Sequence, residues 1–218
     1  ALPLAPRCRV GVAEDAAFHF YYDANLALLE RAGATLVRFS PIADVACPDV
    51  DGVYLGGGYP ELHARALADN QGMLDSLRQH ARRGRPIYAE CGGLMYLSEA
   101  IVALDGSEHA MLGLVRGKAV MADRLQALGY VEVETQGASP LGPSGTRFRG
   151  HQFRYSRLEG GEPTRYELSI ARSGARLPEG YGTGHVLGSY VHAHWAETPE
   201  VPQHFVAQCV ARSQRASP

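Results

Sequence analysis

The chain is poor in the residues that staple or ligate. Its four cysteines, Cys8, Cys47, Cys91 and Cys209, form no CxxC pair. That spacing excludes a zinc-ribbon pattern and gives no disulfide framework, so a reducing, cytoplasmic setting is expected. No apolar run approaches the roughly 20 residues that a membrane-spanning helix needs. The formal net charge of −2 offers no broad basic surface for nucleic acid. Phosphate loops are missing as well. Gly113-Leu114-Val115-Arg116-Gly117-Lys118-Ala119 is one residue short between its glycines and has Ala where a magnesium-binding Ser or Thr belongs. Gly182-x-Gly184-x-x-x-Gly188 misses the dinucleotide spacing. This chain is therefore expected to bind neither ATP nor a nicotinamide cofactor itself. No repeat or low-complexity segment is present.

What is there suits one α/β domain of 218 residues, rich in glycine at 25 positions and so in tight turns. Residues 1–6 (Ala-Leu-Pro-Leu-Ala-Pro) read as a linker, too short and uncharged for a signal peptide. With no initiating Met, the expectation is a domain cut from a longer protein, with N-terminal processing as the simpler alternative. Strands are read at Arg7–Ala13, Thr35–Phe39, Asp51–Leu55 and Arg85–Glu90. Between them lie a helical spacing through Phe18, Tyr21, Tyr22, Leu26 and Leu29, a polar helix at Gln71–Arg83, and a further helix at Cys91–Ala100. Strands alternating with helices predict a doubly wound, mainly parallel sheet. After residue 105, strands at Val115–Met121, Gly129–Glu134, Phe148–Leu158 and Tyr166–Ala171 predict a more antiparallel edge. Gln136–Gly145 reads as a mobile loop, Val186–Trp195 as a last strand and Pro199–Arg212 as a closing helix.

The chemistry centres on Ile87-Tyr88-Ala89-Glu90-Cys91-Gly92-Gly93-Leu94-Met95-Tyr96. A short apolar strand runs into a cysteine, and glycines let the backbone turn sharply into a helix. Such a turn exposes a nucleophile and sets its sulfur at a helix N-terminus, which predicts thiolate character. A buried, merely packing cysteine is the plainer reading. His192 and His194 are the base candidates, and side-chain alternation sets them on one face of a strand. The scattered cysteines supply no further ligands for a metal-binding His-x-His, so no metal is expected. An oxyanion site needs converging N–H groups. Gly92 is one natural donor, and the Gly56-Gly57-Gly58 turn after another strand lies beside the elbow.

These residues resemble a known family. Val12-Ala13-x-Asp15, Phe18-x-Phe20-Tyr21-Tyr22, Gly56-Gly57-Gly58-Tyr59-Pro60-Glu61-Leu62, Ala89-Glu90-Cys91-Gly92-Gly93-Leu94-Met95-Tyr96, Met121 to Tyr130, Arg149-Gly150-His151-Gln152-Phe153-Arg154-Tyr155-Ser156 and Gly188-Ser189-Tyr190-Val191-His192-Ala193-His194-Trp195 carry the likeness. It is to the glutaminase domains of cobyrinic and hydrogenobyrinic acid a,c-diamide synthases, a branch of the class I glutamine amidotransferases. It covers nearly the whole chain, as a domain over residues 7–214. It implies a flavodoxin-like fold and hydrolysis of glutamine to glutamate and ammonia. It also implies an upstream synthetase domain that uses ATP and magnesium to activate the a and c carboxylates of the corrin ring. Cys91 then matches the nucleophile, His192 the base, and Gly57 and Gly92 the oxyanion donors. Gly58, His151, Gln152 and Phe153 match the substrate-binding segments.

The sequence departs from the wider class at one place. Those enzymes carry Glu two residues after the base, where this chain has His194. His194 and Glu90 are therefore auxiliary candidates, and the group that orients His192 is either dispensable or supplied by the synthetase domain. The expected partners are glutamine, that domain and a second copy of the chain in a homodimer, with neither nucleic acid nor membrane. Rival readings are a related amidotransferase (cobyric acid synthase, or nickel-sirohydrochlorin diamide synthase), a stand-alone cysteine hydrolase of the same fold, and a non-catalytic binding module.

Overall fold

In the computed structural model, residues 6–213 are described; most of the linker read at residues 1–6, and the last residue of the 7–214 domain, lie outside them. The first half alternates β1 (Cys8–Ala13), α1 (Asp23–Arg31), β2 (Ala34–Phe39), β3 (Gly52–Leu55), α2 (Ala64–Asp69), α3 (Gln71–Arg82), β4 (Ile87–Glu90) and α4 (Gly92–Leu97). The second half is strand-rich. It contains β5 (Ala100–Val102), β6 (Glu108–Ala110), β7 (Lys118–Met121), β8 (Ala127–Thr135), β9 (Arg147–Arg154), β10 (Ser156–Glu159), β11 (Tyr166–Ile170), β12 (Arg176–Glu179), β13 (Val186–Ser189), β14 (His192–His194) and α5 (Glu200–Ser213).

A parallel five-stranded sheet in the order β13-β4-β3-β1-β2 forms the frame. Residues of β3, β4 and β13 are buried throughout, as strands covered on both faces must be. One covering layer holds Leu67 of α2, Met73, Leu74 and Leu77 of α3 and Leu94, Met95 and Leu97 of α4. The other holds Leu26 and Leu29 of α1 and Phe205, Val206 and Cys209 of α5. Helix α3 shows how the local sequence sets an element. The Asn70 side chain accepts from the Met73 N–H at its start, Met73, Leu74, Leu77 and Ala81 line one face, and Gly84 at φ 74° ends it in the left-handed conformation glycine favours.

The fold class is the one the sequence predicts, and several elements differ from their reading. The antiparallel strands form sheets of their own. One is five-stranded, β12-β11-β8-β9-β14, and the other is β10-β7-β5-β6 with one parallel pairing. The helix read from Phe18 begins at Asp23, because the Asp15 carboxylate accepts from the Ala17 and Phe18 N–H groups and holds that stretch in a turn. The helix after Cys91 stops at Leu97, and residues 100–102 pair in a sheet. The 3₁₀ turn Pro60–His63 and helix α2 go unread from sequence. The strand read at Phe148–Leu158 breaks at Tyr155 into β9 and β10, which belong to different sheets. The strand read at Val186–Trp195 breaks at residues 190–191, so β13 stays parallel while β14 pairs with β9. The loop at 136–145 is tied down: Leu141 is fully buried, and Thr135 Oγ1 donates to the Pro143 carbonyl at 2.6 Å.

Candidate active site

Parallel strands deliver the site from their carboxyl ends, where open α/β sheets place ligands. Phe20 follows β1, the glycine turn follows β3, Cys91 follows β4, and His192 follows β13. Among the described residues Cys91 is the one non-glycine with positive φ, at 46° with ψ −100°. Strain of this kind costs on the order of 1–3 kcal/mol and clusters at functional sites. The elbow is held by the Cys91 N–H donating to Ser189 O at 2.7 Å and by the Gly93 N–H donating to Gly56 O at 3.0 Å. A Cβ on Gly93 would lie 2.8 Å from Leu55 Cβ, and one on Gly92 would lie 2.9 Å from Pro60 Cδ. The two glycines therefore let the elbow close onto the β3 turn.

Gly92 and Gly57 differ in what their N–H groups do. The Gly92 N–H acts to lower the Cys91 thiol pKa, against the larger effect of burial. The Gly57 N–H, expected as the second oxyanion donor, already donates to Phe20 O at 3.2 Å in a bridge that also takes the Phe20 N–H to Gly57 O. Gly57 instead lies against the His192 ring, whose Cε1 leaves no room for a Cβ. The nitrogen beside Gly92 is that of Gly58, 3.1 Å from where a Gly92 Cβ would sit.

His192 opens β14 and is buried. Its ring stacks on His151 (centroids 4.8 Å, planes 14° apart) and meets the edge of Phe20 at 4.9 Å. Burial, and then the His151 ring, lower its pKa to about 3. Burial raises the Cys91 thiol to about 12, with the Glu61 charge adding to it. The thiolate expected from a helix N-terminus is thus not the resting state, because α4 has only six residues and the sulfur is desolvated. The thiol donates to Phe153 O at 3.9 Å. His192 Nδ1 is buried without a hydrogen-bond partner, and its nearest acid is Glu90, with Oε2 at 3.9 Å. His194 goes elsewhere: it meets the Tyr22 ring at 5.0 Å and lines a separate open groove with Arg149 and Glu197.

A cleft of about 270 Å³ opens over Cys91 and His192. That is just below the usual span of ligand sites, roughly 300 to 1,000 Å³. His151, Phe153 and Gly58 line it. Gln152 does not, because alternation along β9 buries its side chain on the other face. Glu61, Arg154, Tyr155 and Ser156 also line the cleft. They stand within the motifs, but their local sequence carries no signal of a role. Arg154 lies over the Tyr190 ring at 4.5 Å.

A strained cysteine at a strand–helix elbow, beside a buried histidine and a glycine turn, can be compared with known proteins. A model of the CobB/CobQ-like glutamine amidotransferase domain matches residues 9–200. The chain belongs to that family. Cobyrinate a,c-diamide synthase of Leptospira interrogans is 48% identical over 210 residues, covering 94% of this chain and 46% of that protein. The same enzyme of Syntrophotalea carbinolica is 47% identical over 211 residues, with 94% and 46% coverage. That of Salmonella typhimurium is 44% identical over 201 residues, with 91% and 44% coverage. The chain thus spans about half the length of the curated relatives it matches. Among solved structures, PurLQS from Thermotoga maritima superposes with TM-score 0.61 at 15% identity, covering 97% of this chain and all of that one. A crystal structure titled as a glutamine amidotransferase superposes at 0.59 with 21% identity, covering 92% and 98%. These likenesses establish the fold of the amidotransferase domain. Among its described residues no helix is long and apolar enough to cross a membrane.

Proposed function

We propose that this amidotransferase domain hydrolyses glutamine at Cys91 and passes the ammonia to an ATP-dependent half of the same enzyme, which amidates the a and c carboxylates of cobyrinic or hydrogenobyrinic acid. The observation that carries the reading is the strained Cys91 elbow opening into a cleft with His192. The cleft suits an amino acid and is far too small for a tetrapyrrole, so the acceptor and the ATP with its magnesium belong to the other half. Glu61 and Arg154 give the lining one charge of each sign, which suits the α-ammonium and α-carboxylate of glutamine.

In this reading His192 takes the Cys91 proton and the sulfur attacks the side-chain amide carbon of glutamine. The N–H groups of Gly92 and Gly58 receive the developing oxyanion; Gly58 replaces Gly57 in this role because the Gly57 N–H is already spent on Phe20. His192 then protonates the departing nitrogen, which leaves as ammonia with a thioester on Cys91. Water activated by His192 releases glutamate.

The resting pair is thiol and neutral imidazole, which favours a site that is primed only when substrate or partner arrives. Exposed Phe20, Tyr59, Phe153 and Tyr155 line the cleft and fit an apolar docking face for the other half. Labelling by a glutamine-mimicking electrophile tests the reading. Modification confined to Cys91 and blocked by glutamine is expected. An unreactive Cys91 would leave it as a packing residue.

A further inference from the structure

We propose that Glu90 is the positioning residue of His192: its carboxylate receives the Nδ1–H of the imidazole, fixes the tautomer that presents Nε2 to Cys91, and supplies from within this chain the orienting group that His194 does not. The inference rests on the glutaminase reading above.

Three observations converge on it. Glu90 is fully buried beside an imidazole whose Nδ1 is also buried and unpartnered. A buried N–H without an acceptor is destabilising, so the site has a bond to gain. The second observation is how the carboxylate is held. Oε1 accepts from the Tyr88 hydroxyl at 2.8 Å and from the Ala193 N–H at 3.1 Å. The oxygen already engaged thus ties Glu90 to the residue next to the base, while Oε2 faces Nδ1 at 3.9 Å. Charge-assisted N–H···O bonds run about 2.7–2.9 Å, so closure by about 1 Å completes the contact. The third is chain order. Glu90 immediately precedes Cys91, so one strand end carries both nucleophile and orienter, and a shift of β4 relative to β14 moves them together.

His194, two residues beyond the base, packs on the Tyr22 ring and faces the neighbouring groove. The surroundings also keep Glu90 as the acid that acts here. Tyr21, Tyr22, Tyr54, Tyr88 and Tyr166 are all raised above the ordinary tyrosine value by burial, and so stay neutral near pH 7. Cys91 is raised too and His192 is lowered to about 3, which leaves Glu90, raised to about 7, as the acid beside the base whose charge changes near neutrality.

Glu90→Gln is the discriminating variant. Its amide oxygen can keep the Tyr88 and Ala193 bonds, while its NH2 meets Nδ1 as a donor and favours the wrong tautomer. In a serine-protease triad the equivalent change costs roughly 10⁴ in kcat. The experiment measures glutamine hydrolysis against pH in the intact protein, together with alkylation of Cys91 by iodoacetamide, read by mass spectrometry of the Cys91 peptide. The expected result is a folded variant with kcat lowered about 10²- to 10⁴-fold, KM within about threefold of the parent, a changed acid limb and slower alkylation. Parent-like kcat and pH profile would overturn the proposal, and so would a loss confined to KM. If Glu90→Ala is too unstable to assay, the isosteric variant still decides. If the parent does not hydrolyse glutamine yet Glu90→Gln slows alkylation, the glutaminase reading fails and the positioning role stands.

Discussion

His151 and His192 stack with ring centroids 4.8 Å apart, across the β9–β14 pairing that sets them side by side. Two imidazoles so placed cannot both hold a proton cheaply, and His151 adds to burial in lowering His192. His151→Gln should therefore raise the pH at which His192 protonates, as read by NMR titration of its ring. An unchanged or lower midpoint would show that burial alone sets it.

His192 and His194 lie on one face of β14 yet meet different surroundings, one in the Cys91 cleft and the other in the groove beside Arg149. His192→Asn should cost on the order of 10² to 10⁴ in glutamine-dependent rate, the range for a lost general base. His194→Asn should cost less than about tenfold, since its ring serves the outer face. A larger loss at 194 would reverse the assignment.

Glu90 also predicts a pH dependence of stability. Burial raises it from 4.5 to about 7, so the folded chain binds its proton more tightly than the unfolded chain does. The stabilisation from that proton is complete below pH 4.5 and is lost as pH rises through 7. His192 has the opposite sign: lowered from 6.5 to about 3, it favours the folded state above pH 6.5 and loses that contribution as pH falls. Glu90→Gln removes the first effect alone. Its stability relative to the parent should rise between pH 5 and 8, by at most about 3 kcal/mol. Urea midpoints at the two pH values decide it, and a constant difference would contradict the shift.

A thiol and a neutral imidazole at rest imply a slow glutaminase when this domain acts alone. Adding the ATP-dependent half with ATP and acceptor should speed glutamine hydrolysis, because a misplacement of about 1 Å can cost roughly 10²-fold. Equal saturated rates with and without that half would show a self-sufficient site.

Much of this was legible in the sequence. The strand–Cys–Gly–Gly string announces a tight elbow because only glycines at 92 and 93 leave room for Pro60 and Leu55. Alternating strands and helices announce the parallel sheet. What was not legible depends on distant pairing. The free N–H in the glycine turn is decided by Phe20, which sits 37 positions before Gly57 and bonds to it. The pairing of residues 192–194 with β9 relies on Gly150, where a Cβ would strike the His192 backbone. The charge state of Cys91 follows from burial, which no local motif reports.

The most direct test of the account is Cys91→Ser in the full enzyme, assayed for amidation of the tetrapyrrole acid with glutamine and, separately, with ammonium salt. The account predicts that glutamine-driven amidation disappears while ammonia-driven amidation continues at the parental rate, because only the ammonia source is lost. Normal turnover with glutamine in that variant would contradict it.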